Sequence, residues 1–114
     1  MTVEAVLNHH LRATGAGDID ALMEDYTESS ILMTPDSTLV GLAEIRGLFE
    51  VLITRLLPPE STIEIQRQDI QGDVAYIVWK ADSPTTIFFM ATDTFIVRDG
   101  KIATQTFAAQ MMAK

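Results

Sequence analysis

The pattern of apolar positions divides the chain into a helical first half and a strand-rich second half. Apolar residues recur at helical spacing in two stretches, one closed by Gly15 and Gly17 and the other by Pro58 and Pro59. The two stripes consist of Val3, Val6, Leu7, His10, Leu11 and Thr14, and of Ile45, Leu48, Phe49, Leu52 and Leu56. Because glycine and proline end helices, the pattern predicts a first helix that ends at the two glycines and a later helix over 42–57.

A second, short helix and a short strand are predicted between these two helices. Asp18 is a favourable N-cap for a helix that extends to about Asp25. The apolar side of that helix would contain Ile19, Leu22 and Met23. Residues 30–34 (SILMT) have the composition of a strand, which Pro35 would end.

The second half predicts four longer strands joined by turns. They cover residues 62–70, 74–81, 86–97 and 102–111. Gly72-Asp73 and Asp99-Gly100 have the composition of tight turns, and Ser83-Pro84 would interrupt the chain between the middle strands. Three helices and a short strand pair followed by an antiparallel meander predict an α+β fold, with the helices on one face of a curved sheet.

The two middle strands carry apolar residues on both faces. Val78 and Trp79 illustrate this, because adjacent residues of a strand point to opposite faces. An antiparallel sheet with one solvated face should alternate apolar and polar residues, so both faces need a cover and the helices supply only one. A second copy of the chain is the simplest second cover, which predicts a homodimer. The alternative is a cover made by loops or by the chain's own terminus.

The size and charge of the chain exclude several classes of function. A chain of 114 residues, 47% of them hydrophobic, predicts one globular domain over residues 1–114. A net charge of −8 argues against nucleic acid and anionic membranes as partners. The chain has no cysteine, and its two histidines show no metal-ligand spacing, so we expect neither a metal nor a cofactor.

The N-terminus and the hydrophobic runs bear on the expected location. Residues 1–14 (MTVEAVLNHHLRAT) lack the basic start and long apolar run of a signal peptide. No stretch reaches the roughly 18 apolar residues of a membrane span. We therefore expect a cytoplasmic protein.

One acid stands in a segment that otherwise predicts a buried strand. Residues 87–97 (IFFMATDTFIV) are mostly aromatic, β-branched or apolar, with Asp93 near their centre. Because burying an unpaired charge costs free energy, such an acid is paired, protonated or directed into a cavity. Buried ionisable groups cluster at functional sites, so we interpret Asp93 as part of a pocket. The alternative is an acid at a sheet edge or one that caps a neighbouring backbone, without a chemical role.

Three segments resemble the nuclear-transport-factor-2-like superfamily. They are GAGDIDALMEDYTESSILMTPD, GLAEIRGLF and the terminal RDGKIATQTF, and the resemblance spans about Val6 to Phe107. More narrowly, they are similar to the SnoaL-like and ketosteroid-isomerase-like small proteins of that superfamily. The resemblance implies a cone-shaped sheet around an apolar cavity that helices close, usually in a homodimer through the sheet. It bears on the fold more than on the function, because one fold hosts many activities.

Ketosteroid isomerases carry three cavity residues, of which the resemblance retains one here. Their tyrosine lies seven residues before the glycine of the Gly-Asp pair, where this chain has His10. Their general base is an aspartate before a proline, where this chain has Thr34. Their oxyanion-hole acid corresponds to Asp93. Because threonine without an activating partner cannot abstract an α-proton near neutral pH, steroid isomerisation by the same mechanism is not expected.

His10 and Asp93 are the candidate catalytic residues. His10 lies on the apolar stripe of the first helix, whereas His9, about 100° around the helix, is predicted to be solvated. The resemblance places the matching positions side by side at the cavity floor, so we expect His10 and Asp93 to meet there. An acid beside an imidazole orients its tautomer and raises its pKa, which suits general acid–base catalysis. The alternative for His10 is an inward histidine hydrogen-bonded to the backbone.

Further residues are candidates for the wall of a cavity that takes an apolar small molecule. They are Tyr26, Met33, Thr34, Phe49, Leu52, Trp79, Phe89, Ala91 and Phe107. A ligand of this kind is expected because the inward helical stripes are rich in Leu, Met and Phe and face an aromatic sheet. Each of these residues could instead belong to the plain core.

Three classes of function remain open on the sequence alone. The first is a small enzyme that acts on an apolar carbonyl compound as an isomerase, cyclase or dehydratase, and it needs His10 and Asp93 together in an accessible pocket. The second is a non-catalytic module that binds an apolar small molecule and needs only the pocket. The third is a dimeric interaction domain, whose cavity side chains would fill.

Overall fold

The computed structural model of the protein describes all 114 residues as three N-terminal helices and one six-stranded sheet. The helices are α1 (Val3–Ala16), α2 (Ile19–Met23) and α3 (Leu42–Val51), and a π-helical turn (Leu52–Leu56) continues α3. The strands are β1 (Ile31–Met33), β2 (Thr38–Val40), β3 (Thr62–Gln71), β4 (Val74–Asp82), β5 (Thr86–Arg98) and β6 (Lys101–Ala113). The predicted α+β fold is confirmed. None of the helices combines the length and apolar character needed to cross a bilayer.

Helix α1 begins and ends at residues whose chemistry fixes the boundary. Thr2 is the N-cap, and its hydroxyl oxygen accepts a 3.0 Å hydrogen bond from a backbone N–H of the first turn. Gly17 adopts a left-handed φ of 66°, and its N–H bonds to the carbonyl of Thr14 at 3.1 Å. Gly15 lies inside the last turn, so the helix ends at the second glycine alone.

The last turn of the third helix is π-helical, which the apolar pattern did not predict. The backbone N–H of Leu57 donates to the carbonyl of Leu52, five residues earlier, at 2.6 Å. Such turns carry one extra residue per hydrogen-bonded ring and occur frequently at functional sites. Here the side chains of Leu52, Leu56 and Leu57 all reach the same cavity.

The strands form one curved sheet in the order β2-β1-β6-β5-β4-β3. Strand β1 pairs parallel with β6, and all other neighbours are antiparallel. Breaks in register interrupt β3, β4 and β5, including one between Phe88 and Met90. Because β-bulges bend a strand and increase its twist, the sheet curls around the helices.

The concave and convex faces of the sheet have different surroundings. Ala75, Ile77 and Trp79 of β4 are buried on the concave side, and the residues that alternate with them on the convex side are partly exposed. Phe89 and Met90 are each 51% exposed. The convex face of a single chain therefore keeps apolar side chains in contact with solvent.

Candidate functional site

A cavity of about 470 Å³ lies between the helices and the concave face of the sheet. Its wall is mainly apolar and includes Leu11, Leu48, Phe49, Leu52, Ile77 and Phe107. The buried polar side chains that reach the wall are His10, Asp93 and Gln105. No lysine or arginine lines the cavity. The volume is in the range of pockets that enclose small organic molecules.

Asp93 is buried at the centre of β5 and holds two hydrogen bonds. The indole Nε1 of Trp79 donates to its Oδ1 at 2.8 Å, and the amide Nε2 of Gln105 donates to its Oδ2 at 2.9 Å. Both partners are neutral, so no cation balances the carboxylate. Burial raises the pKa of Asp93 from 3.8 to about 6, and the two hydrogen bonds oppose that rise. The acid therefore exchanges its proton close to neutral pH.

The contacts continue from Asp93 to His10 through two further side chains. The hydroxyl of Tyr26 donates to Oε1 of Gln105 at 2.5 Å, and its oxygen lies 3.5 Å from Nδ1 of His10. All four side chains are buried. We call Asp93, Gln105, Tyr26 and His10 the polar chain.

The polar chain corrects the expected direct pairing of His10 with Asp93. The two residues are linked through Gln105 and Tyr26, and the imidazole packs edge-on against Phe95 with ring centroids 5.0 Å apart. The expectation that an acid raises the pKa of His10 is also wrong. Burial, followed by the charge of His9, lowers the pKa of His10 from 6.5 to about 4. His10 is therefore neutral near pH 7.

His9 is not simply solvated, as the helical pattern predicted. Its Nδ1 lies 2.7 Å from Oδ1 of Asp25, whose side chain is 4% exposed. The second carboxylate oxygen of Asp25 is buried without a hydrogen-bond partner. Burial raises the pKa of Asp25, and the pairing with His9 opposes that rise. This pair joins α1 to the segment after α2, outside the cavity.

The structure separates the predicted wall residues into two groups. Those at the cavity are Thr34, Phe49, Leu52, Trp79 and Phe107, together with the two candidate catalytic residues. Tyr26, Met33, Phe89 and Ala91 lie outside the wall.

The four residues outside the wall each have a physical reason for their position. Tyr26 is buried behind His10 and Gln105, and Ala91 is buried opposite Trp79 in the neighbouring strand. Met33 is 43% exposed on a short strand. Phe89 is the residue that the β5 bulge leaves unpaired with β6, so it is half exposed rather than inward.

Gln105 is the main site residue that the sequence analysis missed. It is 1% exposed and lies opposite Phe95 in the β5–β6 pairing, so it shares the concave face with Asp93. Its neighbours in the sequence are threonines, which hide it among polar residues. The available signal was its spacing of two from Phe107 along a strand, because such residues share a face.

The sequence was compared with known protein families and with curated proteins. The family of the SnoaL-like domain matches residues 7–105 of the chain. No curated protein matches the chain. The structure contains no group of three or more His, Asp or Glu side chains placed to hold a metal ion.

Solved structures with the same fold include proteins of several descriptions. The epoxide hydrolase/cyclase-like enzyme SalBIII, which has a role in pyran ring formation in the polyether salinomycin, is 22% identical, with a TM-score of 0.79 and coverage of 98% of this chain and 95% of its own. A Sinorhizobium meliloti protein provisionally described as a polyketide cyclase is 18% identical, with a TM-score of 0.75 and coverage of 94% and 99%. An NTF2-like protein of unknown function from Burkholderia xenovorans is 20% identical, with a TM-score of 0.78 and coverage of 95% and 82%. At these identities the likeness shows the nuclear-transport-factor-2-like fold alone.

Proposed function

Because the chain belongs to the SnoaL-like domain family and its cavity contains a buried acid, we propose that it binds a neutral, apolar carbonyl compound and isomerises, cyclises or dehydrates it. The observation that carries the proposal is Asp93, buried at the cavity wall with its pKa raised to about 6. Structural relatives described as a polyketide cyclase and as an epoxide hydrolase/cyclase-like enzyme agree with this class of chemistry.

The charges of the wall favour a neutral ligand. The acids at the cavity are Asp93 and, in the turn after β1, Asp36; no lysine or arginine accompanies them, and the burial that lowers the pKa of His10 to about 4 leaves its imidazole neutral. A carboxylate or phosphate on the ligand would be repelled by these acids and would lose its hydration without a compensating cation. The apolar wall would instead stabilise a hydrocarbon skeleton.

Asp93 can supply both halves of a proton transfer. A general acid or base works best when its pKa lies near the working pH, and a pKa of about 6 meets that condition. Its ionised form would take a proton from the carbon beside the carbonyl, and its protonated form would return one elsewhere on the ligand. The two N–H donors hold the ionised carboxylate in one orientation for the first of these steps.

The test uses hydrogen exchange, because the product is not known in advance. Neutral ring ketones are incubated with the protein in heavy water, and the loss of their α-protons is followed by NMR. We expect exchange with the wild type and a loss of at least about 100-fold with Asp93→Asn, with ketone binding retained by calorimetry. The matching ring carboxylic acids are controls that should not bind. Ketones that bind without exchange would refute the catalytic proposal.

A non-catalytic binding protein is the second candidate. It is favoured by the neutral state of His10, whose pKa of about 4 leaves Asp93 without a second group titrating near pH 7 in the polar chain. In this case ketones would raise the melting temperature through binding to the native state, and Asp93→Asn would change affinity without any exchange to abolish.

We also propose that two copies associate through the convex face of the sheet. The support is a group of uncharged side chains on β4 and β5, in which Val78 and Thr92 are paired and partly exposed. Half-exposed Phe89, Met90 and Met112 extend it. A stable interface would bury on the order of 1,200 Å² or more in total.

A further inference from the structure

The amide of Gln105 connects Asp93 to Tyr26 in the polar chain. Its Nε2 donates to Asp93 at 2.9 Å, and its Oε1 accepts from the hydroxyl of Tyr26 at 2.5 Å. Gln105 is 1% exposed. The amide therefore has a donor end and an acceptor end, each committed to one buried partner.

The observed hydrogen bonds match the ionised form of Asp93. Both groups bonded to the carboxylate, the indole of Trp79 and the Nε2 of Gln105, are donors. When Asp93 takes up a proton its hydroxyl needs an acceptor, and neither donor can serve. A buried donor that faces another donor costs about 1–3 kcal/mol.

The other end of the same amide, Oε1, is an acceptor that can serve. If the Gln105 amide turns by about 180° about its last side-chain torsion, Oε1 accepts from protonated Asp93 and Nε2 donates to the oxygen of Tyr26. The single proton of Tyr26 is then released from Gln105. It can turn to Nδ1 of His10, which now lies 3.5 Å away.

We infer that Gln105 is the positioning residue of Asp93, and that its amide reverses whenever Asp93 gains or loses a proton, which turns the polar chain around as far as His10. Asp93, Gln105 and Tyr26 then keep hydrogen-bond partners in both states, and Nδ1 of His10 gains a donor in the acid state. The two orders are Tyr26 to Gln105 to Asp93 for the anion, and Asp93 to Gln105 to Tyr26 to His10 for the acid. The inference deepens the proposed function, because it concerns the acid that the proposal uses.

Neutral states of the other titratable groups make the reversal possible. Burial raises the pKa of Tyr26 well above 10, so its hydroxyl keeps its proton. His10, with a pKa of about 4, remains an acceptor when Asp93 titrates near 6. Strands β4 and β6 contribute Trp79 and Gln105 beside Asp93, and neither of these two side chains titrates. His9 beside His10, Asp25 beyond Tyr26 and Asp36 in the cavity wall are the other charged groups nearby.

The imidazole of His10 reports the reversal without any ligand. In protein with ¹⁵N-labelled histidine, we expect the Nδ1 shift of His10 to change in a step near pH 6, in a scan from about pH 5 to about pH 8, without protonation of the ring. The carboxyl carbon of Asp93, in ¹³C-labelled protein, should titrate at the same pH. His9→Gln assigns the two histidines.

Two variants separate the polar chain from its surroundings. Tyr26→Phe removes one hydroxyl and should abolish the His10 step while Asp93 still titrates, and the matched Tyr76→Phe on the convex face should leave the step intact. Asp93→Asn should hold His10 at the low-pH shift at every pH, because an asparagine amide must donate to Oε1 of the reversed Gln105. A step that survives in Tyr26→Phe would not pass through the Tyr26 hydroxyl and would overturn the inference.

The remaining outcomes distinguish this inference from the proposed function. Titration of Asp93 with an unchanged His10 shift overturns the reversal and leaves the acid–base proposal standing. If Asp93 does not titrate in the range, the acid–base proposal fails, and Asp93→Asn alone decides the reversal. If the Nδ1 chemical shift of His10 in Asp93→Asn equals that of the wild type at about pH 8, the reversal is overturned.

Discussion

Replacing Asp93 by Asn should change how the free energy of unfolding depends on pH, in a direction that the two buried groups fix. The pKa of Asp93 rises on folding, so the folded state prefers the protonated acid, and stability falls as the pH rises from 3.8 through about 6. The pKa of His10 falls on folding, so stability is lost as the pH falls from 6.5 through about 4. The two contributions have opposite signs over nearly the same range.

The two contributions have similar magnitudes, so they nearly cancel in the pH dependence of the wild type's free energy of unfolding. A shift of one pKa unit corresponds to about 1.4 kcal/mol, which makes the contribution of Asp93 about 3 kcal/mol and that of His10 about 3 kcal/mol. Together they should leave little pH dependence between about pH 4 and about pH 6.5. Asn at position 93 has the shape of the protonated acid and removes one of the two contributions.

The assay is urea unfolding followed by far-ultraviolet circular dichroism at several pH values. We expect Asp93→Asn to match the wild type near pH 4 and to be more stable by up to about 3 kcal/mol above pH 7. The difference between the two proteins should grow through pH 6. Asp99→Asn, the same change in the exposed last turn, is the control and should show no such growth. An Asn variant that is less stable than the wild type at pH 8 would refute the reasoning, because the hydrogen bonds would then outweigh the burial of the charge.

Three further predictions concern other parts of the fold. If the proposed dimer forms, Val78→Lys should convert it into a monomer, and Gln71→Lys at the exposed end of β3 should not. Light scattering at micromolar concentration checks this, and a wild type that is already monomeric would end the dimer proposal. Gly17→Ala should lower stability by about 1 kcal/mol or more, because the φ of Gly17 is 66° and the new methyl group would lie 3.2 Å from Ile53. Gly15→Ala, where a methyl group meets open space, should not lower it, and equal effects of the two changes in thermal unfolding would contradict the prediction. His9→Ala should lower stability by about 1–3 kcal/mol because it leaves Asp25 buried without its partner, and a change below about 0.5 kcal/mol would show that water replaces the imidazole.

The order of helices and strands could be predicted because it depends on local periodicity. The boundaries of β3 to β6 differ from the expected ones by one or two residues. The π-helical turn could not be predicted, since the apolar stripe that ends in Leu56 fits an α-helix equally well. The exposure of Phe89 depends on a bulge, which is set by the pairing of two strands distant in sequence.

The candidate site divides in the same way between local and tertiary information. Asp93 could be found because a single acid contrasts with the apolar strand around it. Gln105 could not, because it lies between threonines, and its role depends on contacts with Tyr26 and Asp93 at separations of 79 and 12 residues. The pairing of His9 with Asp25 likewise depends on how α1 meets the segment after α2.

The position of Trp79 gives the molecule a built-in optical probe. It is the only tryptophan of the chain, its indole N–H is hydrogen-bonded to Asp93, and its ring lies in the cavity wall, stacked on Phe107. Indole emission responds to a charge on the hydrogen-bonded group and to the polarity of the space that the ring faces. The intrinsic fluorescence of the unlabelled protein should therefore register the ionisation of Asp93 and the arrival of a ligand as separate changes of one signal.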